Sequence, residues 1–240
     1  MSQVAPVLKR EFLGYFRSPV AYVILVVFLV ATVGFSFFIG GFFEANQASL
    51  FAYFTYYPIL YLFLIPAVGM RLWSEELRSG TVELLFTLPV TTLEAVVGKF
   101  LAAWSFLAVA ILLSFPMALT VGYLGHPDWG VVATSYLGAI LMAGGYLGIC
   151  SLCSALTKNQ VISFVISCLI CLGLLLMGYS LFSQILNAVL PVWLADDLAN
   201  FSFNVHFAPF LRGIVDLKDI VFFLSLTGFT LFLNVVALER

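Results

Sequence analysis

The sequence predicts an all-α polytopic membrane protein: six transmembrane helices, an N-terminal amphipathic interfacial helix, a short cytoplasmic helix between spans two and three, and short outer helices between spans five and six. Three observations predict it. Of 240 residues, 63% are hydrophobic and only 9% charged, with a mean hydropathy of +1.13, against roughly 25% charged residues in an ordinary soluble domain. Six uncharged stretches stand out, at about 19–43, 49–70, 100–124, 131–156, 161–186 and 220–238. The shortest reaches roughly 28 Å as a helix, close to the hydrocarbon thickness of a bilayer. The runs are also uninterrupted, which excludes the alternating strands of a barrel and leaves helices, whose backbone groups pair internally.

Residues 1–240 therefore form one membrane domain, with nothing left for a sizeable soluble one. A net charge of −2 provides no global field for nucleic acid. In residues 1–18, Val4, Leu8, Phe12 and Phe16 recur every four positions, with Gln3, Arg10, Gly14 and Arg17 opposite. That pattern suits a helix lying in the membrane interface, ahead of the alternative that it is only a positively charged flank of the first span. The run 19–43 exceeds a signal core and has no small-x-small site after it, so it is expected to be a permanent span. Pro58 and Pro66 in span two and Pro116 in span three are expected to kink their helices.

Basic residues set the orientation. With the N-terminus inside, the cytoplasmic segments hold Lys9, Arg10, Arg17, Arg71, Arg78, Lys99, Lys158 and Arg240, and the outer ones only Arg212 and Lys218, so both termini are expected in the cytoplasm. The outer segment 187–218 is long, aromatic and interrupted by Pro191 and Pro209, with Asp196 and Asp197 between; one or two short helices are expected there.

The cytoplasmic segment 71–99 holds seven of the chain's 22 formally charged residues. Ser74 is expected as a helix N-cap, with Glu75 and Glu76 in the first turn and Gly80 breaking the helix. A second short helix over Thr81–Leu88 stops before Pro89, and Thr91 with Glu94 forms a capping box that opens span three. The short helix offers Leu84, Leu85 and Leu88 as an apolar side and Glu83 as a charge. Such a helix suits a groove on a soluble partner, and equally a re-entrant loop under its own bundle.

The run Glu75-Glu76-Leu77-Arg78-Ser79-Gly80-Thr81-Val82-Glu83-Leu84-Leu85, followed by Leu88-Pro89-Val90 and Gly98-Lys99, resembles the signature of ABC-2-type transporter permeases. Lys9-Arg10-Glu11-Phe12 with Tyr15-Phe16-Arg17-Ser18-Pro19 resembles the same family. Phe201–Phe207 with Arg212-Gly213 and Asp216–Asp219 resembles its gliding-motility-type subgroup. The resemblance implies a subunit of the bacterial inner membrane, paired with a second copy or a related permease and bound to two ATPase subunits that carry ATP and Mg. An accessory envelope protein is a further possible partner. It also implies a connecting helix over residues 3–17 with Leu8, Arg10, Phe12, Phe16 and Arg17, a coupling helix over Thr81–Leu88, and an outer segment carrying Asp196, Asp197, His206, Arg212 and Asp216 that closes the exit.

The chain has no G-x-x-x-x-G-K-[ST], and none of Lys9, Lys99, Lys158 and Lys218 precedes Ser or Thr, so no P-loop is present and ATP hydrolysis is expected on the partner. The predicted spans lack Asp, Glu, Lys, Arg and His, which argues against an ion-coupled transporter. The pairs Cys150-x-x-Cys153 and Cys168-x-x-Cys171 fall inside spans and are expected to pack instead of binding metal. Gly144 and Gly148, extended by Ser151 and Ala155, predict close packing of span four on another helix. His126 and His206 are expected as isolated outer residues, solvated or at an interface. Two functions remain: an exporter permease, and an ATP-driven subunit that works on an envelope protein without passing a substrate.

Overall fold

A computed structural model describes residues 4–42, 49–83, 90–179, 182, 184, 191 and 197–239. The described residues form helices and turns without strands. Helix α1 spans Val4–Arg17 and α2 spans Pro19–Gly34, extended by a wider π-type turn over Phe35–Ile39. Next come α3 (Phe51–Thr55), α4 (Tyr57–Gly69), α5 (Ser74–Ser79), α6 (Thr92–Leu112) and α7 (Phe115–Leu124). The chain closes with α8 (Trp129–Ala155), α9 (Gln160–Leu176), α10 (Phe203–Phe207), a 3-10 turn over Phe210–Arg212, and α11 (Leu217–Leu238).

Among the described residues, five stretches are long and apolar enough to cross a bilayer: Pro19–Ile39, Tyr57–Ser79, Thr92–Leu124, Trp129–Ala155 and Leu217–Leu238. Gln160–Leu176 is apolar but, at 17 residues, shorter. The chain is thus a multi-pass, all-helical membrane protein.

Two of the expected proline kinks are breaks between helices. Pro58 lies in the first turn of α4, after the turn at Tyr56, and Pro116 in the first turn of α7, after Leu113 and Ser114. A first turn leaves its N–H groups free in any case, so proline there costs no bond. Pro66 alone sits inside a helix. It cannot donate to the Leu62 carbonyl four residues back, and the Cys168 thiol on α9 donates to that oxygen at 3.2 Å.

Helix α8 is the centre of the bundle, touching α4, α6, α9 and α11, and most of it is buried, whereas α2 and α11 leave most of their surface exposed. Its small residues form the contact with α11. A Cβ on Gly148 would collide with the Thr230 hydroxyl, Gly144 lies beside Trp104 and Thr227, and Asn234 Nδ2 donates to Ser151 Oγ at 2.6 Å. The matched order 144/227, 148/230 and 151/234 makes the two helices parallel. Small residues allow backbones this close in lipid, where dispersion and hydrogen bonds, not water exclusion, hold helices together.

Tyrosines extend the same logic. Tyr57 Oη shares Ser114 Oγ (3.3 Å) with Tyr136 Oη (3.1 Å), Tyr61 donates to the Ala139 carbonyl at 3.2 Å, and Tyr146 to the Pro58 carbonyl at 3.1 Å. Below, the end carrying α1 and the residues that join α4 to α6 is termed proximal, and the opposite end distal.

Candidate functional site

At the proximal end the chain leaves α4, turns through Met70–Trp73, forms α5, and breaks at Gly80, whose φ of 73° is a left-handed conformation suited to glycine. Residues 81–83 resume as helix. Ser74 is not the N-cap expected from sequence: Trp73 occupies that position, and the Ser74 hydroxyl donates back to the Met70 carbonyl. The cap comes from elsewhere in the chain. Ser154 Oγ, near the end of α8, accepts from Trp73 N and Ser74 N, both at 3.0 Å, and donates to Met70 O at 2.9 Å. One buried hydroxyl thereby satisfies two of the backbone donors that every helix start leaves open. The elbow sits tight on α8 because Gly69 meets Cys150 where a Cβ would not fit.

Lys99, in the third turn of α6, is the centre of the site. It is 3% exposed, and its Nζ lies 2.5 Å from Glu76 Oε1 on α5, 3.7 Å from Glu11 Oε1 on α1, 3.3 Å from the Leu72 carbonyl and 5.0 Å from the centre of the Trp73 ring. Glu11 also takes Arg10 at 2.8 Å. One buried ammonium therefore ties α1, the elbow and α6 together, with its charge compensated by two carboxylates. Burial and the Glu11 charge together push the Tyr15 phenol well above its ordinary pKa.

The face of α1 that meets α6 includes Phe16 of the expected apolar side, whose ring lies 5.7 Å from that of Phe106, together with residues beside that four-residue repeat. Val7 packs where a Cβ on Gly98 would come within 2.8 Å, Glu11 reaches Lys99, and Tyr15 stacks on Phe106 at 5.0 Å. Phe12 and Phe16, 5.1 Å apart, flank that stripe, with Leu8 half-buried and Arg10 and Arg17 exposed. A helix turns in 3.6 residues, so a strict four-residue repeat drifts off the stripe that is buried.

Between α1, α2, α4 and the elbow lies a cavity of about 290 Å³, open to the surface, bordered by Arg71, Glu75, Glu76 and Lys99 on one side and Ala21, Ile24 and Phe106 on the other.

Of the other expected coupling residues, Glu75, Arg78, Thr81 and Glu83 are exposed, and Thr81 Oγ1 lies 2.9 Å from Ser79 Oγ. Leu84, Leu85, Leu88 and Pro89 lie outside the described residues. The Thr91–Glu94 capping box forms, with bonds of 3.1 and 3.3 Å, and opens α6 eight residues before the apolar run at 100. Sequence reasoning missed Lys99 as a buried group, together with Glu11, Trp73 and Ser154. The signal was available for Lys99: counted from the capping box, it falls on the stripe of Ala95, Ala102 and Phe106 at helical spacing.

At the distal end, residues 203–212 fold into the bundle. Phe203 stacks on Tyr146 at 4.1 Å, and Phe210 fills the space over Gly138. His206 is not isolated: its Nδ1 lies 2.7 Å from Asp219 Oδ1, its Nε2 2.7 Å from the Asn200 carbonyl, and its ring stacks on Phe222 at 3.8 Å. Each ring nitrogen thus lies within hydrogen-bond reach of an oxygen, which fixes the orientation of the imidazole. Asp219 is fully buried in the first turn of α11, which begins at Leu217 and so brings an ionisable group into a helix expected to start without one. Asp197, Arg212 and His126 are exposed, Asp216 pairs with Lys218 at 3.3 Å, and Asp196 lies outside the described residues.

Among the described residues no group of three or more His, Cys, Asp or Glu is placed to hold a metal. The site's chemistry is electrostatic and mechanical: charge-assisted bonds that join three elements. No family model matches the chain, and no curated protein matches it significantly.

Proposed function

We propose that the chain is the membrane-spanning permease subunit of an ATP-binding cassette transporter, of the ABC-2 type its motifs resemble, exporting a substrate with energy from a separate ATPase. In this reading it crosses the bacterial inner membrane six times, Gln160–Leu176 serving within the fifth span, with both termini and the proximal end in the cytoplasm. Two such permeases, identical or related, enclose the pathway, and two ATPase subunits bind below.

The observation that carries the reading is the elbow. Glu75, Arg78, Thr81 and Glu83 are exposed on a short helical excursion, and that excursion is anchored through Lys99 and Ser154 to α1, α6 and α8. A push on the excursion therefore reaches three helices without being absorbed by a loose link. The second reading, an ATP-driven subunit acting on an envelope protein, is favoured by the distal segment: Phe203 and Phe210 are wedged on α8, so movement of that helix moves the segment.

The test is purification of the tagged chain from its own cells, followed by photolabelling with azido-ATP. The expected result is a labelled second polypeptide in one-to-one stoichiometry, no label on this chain, and loss of the partner on charge reversal at Glu83. A chain that purifies without any nucleotide-binding partner overturns the proposal.

A further inference from the structure

Helix α1 has two faces. Val7, Glu11 and Tyr15 hold it on α6. Lys9, Leu13 and Arg17 recur at intervals of four, centred roughly 200° around the helix from that stripe at 3.6 residues per turn. All three are exposed, Leu13 at 43%. Neither Lys9 nor Arg17 has a carboxylate within 4 Å among the described residues, whereas Arg10 is tied to Glu11. The free face therefore reads cation, aliphatic, cation. In water a leucine exposed between two unpaired cations gains nothing. On a bilayer surface the aliphatic group enters the headgroup boundary while the cations stay at its rim.

We infer that this face of α1 docks on the headgroups of anionic phospholipid in the leaflet at the proximal end. Arg17 stands two residues before Pro19, where the first membrane-crossing stretch begins, so it lies at the level of the headgroups. Beyond it Tyr22, 53% exposed, turns its hydroxyl back to donate to the Phe16 carbonyl at 2.9 Å. A tyrosine with an outward ring and a tethered polar end suits the boundary between lipid and water. Arg71, two residues beyond α4, and Lys158, three beyond α8, put further exposed cations at this end. A zwitterionic surface offers such cations no net charge, whereas an anionic one attracts each of them. The inference rests on the membrane-spanning fold and not on an ATPase partner.

The experiment is hydrogen–deuterium exchange of the full chain, without any ATPase, in lipid nanodiscs of phosphatidylcholine alone and of two parts phosphatidylcholine to one part phosphatidylglycerol. Exchange over Val4–Arg17 is expected to slow about 25-fold in the anionic discs, roughly fivefold for each of two cations at a charged surface. Lys9→Gln with Arg17→Gln breaks no ion pair among the described residues and is expected to exchange alike in both discs. Lys9→Arg with Arg17→Lys keeps the charge and is expected to keep the slowing. Equal exchange of the wild type in the two discs overturns the inference; it is the outcome if these cations serve a soluble acidic partner, which the discs do not contain. A slowing that survives the glutamine pair, or is lost in the charge-preserving pair, overturns it as well.

Discussion

Replacing Lys99 by Met keeps the length of the side chain and removes its charge. The substitution deletes the bonds to Glu76 Oε1 and the Leu72 carbonyl, the attraction to Glu11 and the contact with Trp73. It also leaves Glu76 with both oxygens unpaired. Breaking a buried pair costs about 3–5 kcal/mol. The Glu76 and Glu11 side chains are each 25% exposed, so water reaches them and the low end applies, about 3 kcal/mol. For a chain of this size that corresponds to a fall in melting temperature of roughly 6–12 °C.

Adding Glu76→Leu to Lys99→Met removes the stranded carboxylate. The double variant is therefore expected to recover about 2 kcal/mol relative to the single one, a coupling in the range of contacting residues. The assay is thermal unfolding in detergent with a thiol-reactive dye, because Cys150, Cys153 and Cys171 are buried and free and become reactive only on unfolding. If Lys99→Met melts within about 1 °C of the wild type, or the double variant is the sum of the two singles, the ammonium does not hold the elbow and the argument fails.

Ser154→Ala strands the Trp73 and Ser74 amides; about 2–4 kcal/mol of stability should be lost, with faster hydrogen exchange at those two amides, and unchanged exchange there refutes the capping role. Gly148→Val collides with Thr230, whereas the new methyl of Gly144→Ala comes no nearer than 3.2 Å to Trp104 Nε1 and 3.6 Å to Thr227 Oγ1. The first should cost about 1–3 kcal/mol and the second less, in the same melting assay; equal melts would mean that α8 and α11 do not touch there. His206→Phe leaves the buried Asp219 Oδ1 without its hydrogen-bond partner and should cost about 1–3 kcal/mol. Adding Asp219→Leu should return part of that loss, and a double variant no more stable than His206→Phe alone contradicts the pairing of the two side chains.

Some of the site was legible before any coordinates, because it depends on neighbours along the chain. Gly80 ends α5 in a left-handed turn and Thr91–Glu94 caps α6, both consequences of local backbone chemistry. The GxxxG face of α8 belongs to the same kind, since a stripe of small residues on an apolar helix has few uses other than a close neighbour. Ser74 shows the limit: its sequence context fits a cap, yet Ser154, eighty residues later, performs that role.

By itself the sequence determined the solvent and the class of fold, since apolar runs of this length are stable only in lipid and only as helices. It also marked where helices stop, because Pro, Gly and capping residues act within a few bonds of themselves. Which helix adjoins which was decided by tertiary structure alone. The pairing of Lys99 with Glu76 and Glu11, of His206 with Asp219, and of Ser154 with the elbow each joins residues from separate elements. The physical reason is that a charge or an amide taken out of water needs a partner wherever the bundle can supply one, and the identity of that partner is a property of packing, not of spacing along the chain.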